Sequence, residues 1–301
     1  MTGEHLRGGT PADEVLPPPG TGPTALRMVL GGRLRDLREA KGITRDEAGY
    51  AIRGSASKIG RLELGRSPFK ARDVSDLLTL YGVTGDAERR ALLSLAAQAN
   101  AHGWWHKYGD VLPGWSEAYV GLEEAATVIR TYDVQIVPAL LQTEDYARAL
   151  IQVCHDEAPP FEVDRRLGLL MGRQRIIARE GGPRLWCVVD EAAVYRPFGG
   201  WEVQRAQLDH LIEVAAMPNV TLQVLPFEAG GHAATCGPFS ILRFAEPALP
   251  DIVYLEQLTG ALYLDKRADL DDYAGVLDRL SILAMPASET PRMLAAIRDR
   301  I

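Results

Sequence analysis

The stretch Thr44-Arg45-Asp46-Glu47-Ala48-Gly49-Tyr50-Ala51-Ile52-Arg53-Gly54-Ser55-Ala56-Ser57-Lys58-Ile59-Gly60-Arg61-Leu62-Glu63-Leu64-Gly65 decides the reading of the N-terminal third. Thr44 and Glu47 have capping-box spacing: the threonine hydroxyl accepts from the amide three residues on, and the glutamate reaches back. A short helix follows to about Ile52. Arg53-Gly54 supplies a turn, Ser55 a second N-cap, and a further helix runs to Leu64 before Gly65 ends it. Two short helices so joined have the size of a helix-turn-helix, whose second helix enters the major groove with its N-terminal residues at base edges. Ile59 and Leu62 are three apart and turn inward, so Ser57, Lys58 and Arg61 turn outward, all able to hydrogen-bond to phosphates or base edges. Ser55, Ala56 and Gly60 are small enough for close approach to the groove. Arg45 stands where a phosphate or groove-side contact is expected. Arg53, Arg66 and Lys70 complete the candidate DNA-binding set. Glu63 is expected to tie its helix to basic or backbone groups, because an acid at a buried edge needs partners.

Charge supports this outward from the same stretch. Residues 26–72 hold twelve Lys/Arg against five Asp/Glu, a local +7 inside a chain of net charge −7. The remainder is −14, so a basic module is joined to an acidic body. Leu26, Leu30, Leu34 and Leu37 mark a helix before the pair, stopped at Lys41-Gly42. Val74, Leu77, Leu78 and Tyr81 mark a fourth helix, and Leu92, Leu93 and Leu95 a fifth. The expectation is a five-helix all-α domain over residues 25–100. Residues 1–24, with Pro17-Pro18-Pro19-Gly20, read as a disordered tail. Residues 101–115 read as an aromatic-rich linker, with Trp104, Trp105, Tyr108 and Trp115, docked on a neighbour.

Residues 116–301 read as an α+β domain. Tyr119, Leu122, Ala126 and Ile129 have the phase of one helix. Thr143-Glu144-Asp145 caps a second, running to about Val153. Val163, Leu167, Leu170, Gln174 and Ile177 mark a third. The period then switches to two: strands are expected at 185–189, 220–225, 239–244 and 252–255, with a short one at 262–264. A helix is expected over 201–216, and a closing one from Leu270 to Pro286. The whole is multidomain.

At 301 residues, 47% hydrophobic and 24% charged, the chain is long enough for a sizeable core. No apolar run approaches the ~18 residues that span a bilayer. The N-terminus has no signal-peptide pattern. Cys154, Cys187 and Cys236 are widely spaced, which suggests neither a disulfide framework nor a zinc module. A cytoplasmic protein without cofactor or metal is expected.

These residues also carry a family resemblance. Thr44-Arg45-Asp46-Glu47-Ala48 followed by Ser57-Lys58-Ile59-Gly60-Arg61-Leu62-Glu63-Leu64-Gly65 resembles the Xre, or Cro/C1-type, helix-turn-helix regulators, with Arg45 where those proteins commonly carry Gln. Pro138-Ala139-Leu140-Leu141-Gln142-Thr143-Glu144-Asp145-Tyr146-Ala147 resembles a stretch of actinobacterial regulators that join such a reader to an antitoxin-like C-terminal domain, the WhiJ type. Arg173-Gln174, Asp190-Glu191-Ala192-Ala193 and Gln207-Leu208-Asp209-His210-Leu211 match as well. The resemblance implies a transcription regulator binding a double-stranded DNA operator, often encoded beside a small partner protein. It gives no ligand.

Other constellations carry less. His102 and His106 are at i, i+4 without further ligands in phase. His232 and Cys236 sit in a Gly-rich loop. Asp190-Glu191 follows a strand, where an acid pair most simply opens a helix. No nucleophile elbow, Walker A, HExxH or dinucleotide fingerprint occurs. Gln142, Arg173 and Gln174 are candidate contacts for a ligand or partner. The expectation is a homodimeric, non-enzymatic regulator whose C-terminal domain senses a ligand or binds a small protein. Its rivals are an antitoxin-like interaction protein that sequesters a small partner, and an enzyme using Asp190, Glu191 or Cys236.

Overall fold

A computed structural model describes residues 22–301. The expected tail lies outside them except for its last three positions, and Pro23 and Thr24 already belong to the first helix. The chain divides into two compact units. One runs to Gly103 and includes Glu246–Leu249; the other comprises Trp104–Ala245 and Pro250–Ile301.

The first unit is built from five helices, α1 (Pro23–Ala40), α2 (Arg45–Ala51), α3 (Ala56–Glu63), α4 (Ala71–Leu80) and α5 (Asp86–Ala99). Local chemistry sets their limits. The Thr44 hydroxyl accepts from the Glu47 amide while Glu47 accepts from the Thr44 amide at 2.7 Å, closing the capping box at the start of α2. The Ser55 hydroxyl accepts from the Lys58 amide at the start of α3. Leu30, Leu34, Ile59, Leu62, Leu77 and Leu92 form the buried interior. Gly49 lets α2 and α3 approach: a Cβ there would stand 2.8 Å from the Ser55 carbonyl carbon. Arg53, in the turn between them, has φ +52°, a left-handed conformation that non-glycine residues adopt at a cost.

The second unit is organised by a six-stranded sheet of β1 (Val128–Asp133), β2 (Arg184–Asp190), β3 (Val220–Leu225), β4 (Phe239–Arg243), β5 (Ile252–Gln257) and β6 (Gly260–Leu264). Its order is β3-β2-β1-β4-β5-β6. β1, β2 and β3 are parallel, and β4 to β6 continue antiparallel from β1. Helices α6 (Gly114–Ala125), α7 (Glu144–Cys154), α8 (Pro160–Ala178), α9 (Glu191–Tyr195), α10 (Trp201–Val214), α11 (Arg267–Leu283) and α12 (Thr290–Arg298) surround it.

The main departure from expectation is at β1. The helical phase predicted through Ile129 ends with α6 at Ala125, and residues 128–133 form a strand in the middle of the sheet. Val128, Ile129 and Thr131 are β-branched and suit a strand better than a helix. Both faces of β1 are covered, so it lacks the alternation of a half-exposed strand. α12 is likewise beyond the closing helix expected from sequence.

The two faces of the sheet differ. Tyr132, Ile241, Val253 and Leu255 form one core with Leu277 and Leu280 of α11. Thr131 lies on the opposite face, in register with Cys187 on β2 and Ser240 on β4, and Ser240 with Tyr254 on β5. On that face Tyr119 of α6 stacks on Tyr254, ring centroids 4.0 Å apart. Residues 104–108 form a short 3-10 turn. Trp105 is buried with Val120 and Leu169, and Trp104 donates to Glu124 at 3.1 Å.

Candidate DNA-reading face and C-terminal cavity

On the reading helix, Ile59 and Leu62 are buried while Ser55, Ser57 and Arg61 are exposed. Among the described residues Arg61 enters no ion pair. A Cβ at Gly60 would meet nothing within 4 Å, so the fold itself does not require glycine there. Arg53, Arg66 and Lys70 are exposed as well. Lys58 is placed differently from the others. Its ammonium lies 2.6 Å from Asp73 of α4 and its side chain is partly covered.

Glu63 is buried and ties three helices together. It accepts from Arg38 Nε at 2.5 Å and Nη2 at 3.2 Å on α1, and from Arg45 Nε at 2.9 Å on α2. Arg38 also donates to the Ile43 carbonyl. Beside Glu63 the Arg38 guanidinium is held above its ordinary pKa, chiefly by their hydrogen bond. Arg45 is thereby oriented at the base of α2 while about half its side chain remains exposed. Sequence reading passed over Tyr50, which is 87% exposed and lines a surface depression with Arg53 and Gly54. An exposed aromatic beside an arginine in the turn was the available signal.

In the second unit a cavity of about 550 Å³ opens on the Thr131 face of the sheet. Ile129, Thr131 and Asp133 of β1 line its floor, with Leu140 and Leu150 among the apolar residues opposite. The three candidate contact residues separate here. Arg173 lines the cavity, but its Nε and Nη2 both donate to Glu123, at 2.8 Å each. Gln174 donates to the carbonyls of Ala139 and Gln142 at 2.9 and 2.8 Å. Gln142 donates to the Val137 carbonyl at 2.7 Å. Gln207 fastens the same segment, accepting from the Thr143 amide and donating to the Leu141 carbonyl. These amides hold residues 137–143, whose Pro138, Ala139 and Leu140 wall the cavity.

Asp133 is the feature sequence reading missed. One oxygen accepts from Thr131 Oγ1 at 2.6 Å, and Ser240 donates to Thr131 at 3.4 Å. No cation pairs with Asp133 among the described residues. Burial pushes its carboxyl up to about 6, against the Thr131 hydrogen bond, which lowers it. A folded-state pKa above the unfolded one means the ionised acid penalises folding. That penalty is complete above about pH 6 and vanishes as pH falls towards the unfolded value of ~3.9. Asp133→Asn is therefore expected to stabilise the fold at pH 7.5, on the order of 1–2 kcal/mol allowing for partial solvent screening, and to change little at pH 4. Urea unfolding at the two pH values checks this; equal gains at both would contradict it.

Asp190, Glu191 and His232 have structural partners, and Cys236 is an exposed free thiol. Asp190 caps α9 by accepting from the Ala192 amide, and Glu191 accepts from the Phe227 amide. His232 lies 3.3 Å from the Tyr132 hydroxyl. Among the described residues no cluster of three or more His, Cys, Asp or Glu could hold a metal ion. No helix of the described residues is long and apolar enough to cross a membrane.

Comparison with known families matches this geometry. A helix-turn-helix domain family matches residues 29–92, which include all of α2 and α3, and this supports a DNA-binding regulator of helix-turn-helix type. A second family, described as a domain of unknown function (DUF5753), matches residues 116–296. The chain belongs to that family. No curated protein and no solved structure matches it.

Proposed function

We propose that this protein is a cytoplasmic, sequence-specific operator-binding transcription regulator of the Xre type, without enzymatic activity, whose C-terminal domain senses a small ligand. Residues 25–100 act as reader, 101–115 as linker and 116–301 as sensor and dimerisation domain. The WhiJ-type, antitoxin-like affiliation belongs to the same reading and rests on the resemblance around residues 138–147. The observation that carries the proposal is α3, with Ser57 and Arg61 exposed opposite buried Ile59 and Leu62. Ser55, Arg45, Arg53, Arg66 and Lys70 surround it as phosphate contacts, and Lys58 reads DNA only if it leaves Asp73.

Selection of bound duplexes from a random library by the full chain tests this directly, and a library that yields no enriched motif would overturn it. On the selected operator, Arg61→Ala is expected to weaken binding by about 1–3 kcal/mol with relaxed preference at one position. Lys58→Ala should cost less, because its ammonium is already engaged. Binding by Arg61→Ala as tight as wild type would remove α3 as the reading helix.

One such helix reads only a few base pairs, so specificity in a genome calls for two half-sites. We expect a homodimer on a pseudo-palindrome with half-sites about 34 Å apart, or a multiple of it. Light scattering of the full chain should give twice the monomer mass. A monomer at concentrations that still bind the operator specifically would sink the dimer.

A further inference from the structure

The cavity on the Thr131 face has a chemical polarity that narrows what it can hold. At about 550 Å³ it lies within the ~300–1,000 Å³ range of small-molecule sites. Ile129, Val134, Ile136, Leu140, Leu150 and Leu185 give it apolar walls. Its charged lining consists of Arg173, Glu123, Asp133 and Glu256. Arg173 is neutralised by the two-pronged contact with Glu123, so among the described lining residues an anionic ligand meets no unpaired cation. Asp133 stands at the C-terminal end of β1 with one oxygen held by Thr131 and, among the described residues, no positive partner. A half-buried carboxylate among apolar walls is costly without a counter-charge, and a cation brought by a ligand would supply the missing partner.

We propose that this cavity binds a small, mainly apolar molecule bearing a protonated amine, with the ammonium against Asp133 and the apolar body along Leu140 and Leu150. The inference rests on the reading of the C-terminal domain as a ligand sensor and names the ligand class. It also explains why the amides of Gln142, Gln174 and Gln207 fix the segment over the cavity while none is spent on its interior. The Ser240 and Thr131 hydroxyls would orient the carboxylate that receives the ammonium.

The test uses the full chain and three indoles of like shape: tryptamine, neutral tryptophol and anionic indole-3-acetate, titrated calorimetrically at pH 7.5. Tryptamine is expected to bind at least about tenfold tighter than either of the others, the equivalent of ~1.4 kcal/mol. Asp133→Asn should abolish that preference, bringing tryptamine to the affinity of tryptophol. Leu150→Trp, filling the cavity from α7, should weaken tryptamine and tryptophol alike. The proposal is overturned if wild type shows less than tenfold preference for the amine, if none of the three binds at millimolar concentration, or if either variant behaves as wild type. Operator affinity, read by anisotropy with and without tryptamine, separates the two readings. Amine binding that leaves operator affinity unchanged upholds the ligand class and removes the sensing role. An intact operator complex without amine binding removes the ligand class alone.

Discussion

Glu63→Ala is expected to destabilise the helical unit by about 3–5 kcal/mol, the cost of leaving one member of a buried ion pair behind. Arg38 is only 8% exposed and Glu63 2%. Without the carboxylate the Arg38 guanidinium keeps only the Ile43 carbonyl and the exposed Glu39 as acceptors. A loss of this size is a large fraction of the ~5–15 kcal/mol that keeps a protein folded, so operator binding should disappear with the fold. Amide hydrogen exchange of the full chain should show protection lost across α1, α2 and α3. An apolar double replacement, Arg38→Met with Glu63→Leu, should recover much of the stability, because no charge is then stranded. Wild-type protection in Glu63→Ala would show that the pair does not hold these helices together.

Trp105→Ala should cost the second unit about 3–5 kcal/mol, as large-to-small changes of buried tryptophans do. Trp105 is 1% exposed and packs with Val120 of α6 and Leu169 of α8. Trp104 meets it edge-on, with ring centroids 6.0 Å apart, and lies so close to Gly172 that a Cβ there would stand 2.6 Å from the indole. Removing Trp105 therefore loosens the turn that carries both rings. Exchange should quicken through α6 and α8 while α2 and α3 keep their protection. Unchanged exchange in α8 would mean that the aromatic turn only decorates the unit.

Much of the helical unit is legible because its determinants are local. The Thr44 and Glu47 box, the Ser55 cap and the glycines Gly42 and Gly65 lie within a few residues of what they control. The tie between Glu63 and basic groups was legible for the same kind of reason, since a buried acid demands partners. The contact of Lys58 with Asp73 was not, because the partner sits on a different helix. β1 was hidden twice over. Ile129 happens to continue the phase of α6, and a strand covered on both faces has no alternation to show. The cavity was least legible of all. Its walls come from four strands and three helices far apart in sequence, and Asp133 by itself is an ordinary acid after a tyrosine. Gln142 and Gln174 did stand out, but as struts for the segment above the cavity, whereas Arg173 stands in its wall.

The struts are amides, and amides do not titrate. The fastening of residues 137–143 is consequently indifferent to acidity, and, being neutral, it is also indifferent to ionic strength. Attraction between a basic reader and a phosphate backbone has the opposite character, falling steeply as salt displaces the released counterions. The two units thus answer to different solution variables. Salt can strip it from DNA while the vessel in the other unit keeps its shape, and a shift in acidity reaches that vessel through Asp133 alone of the groups on its β1 floor.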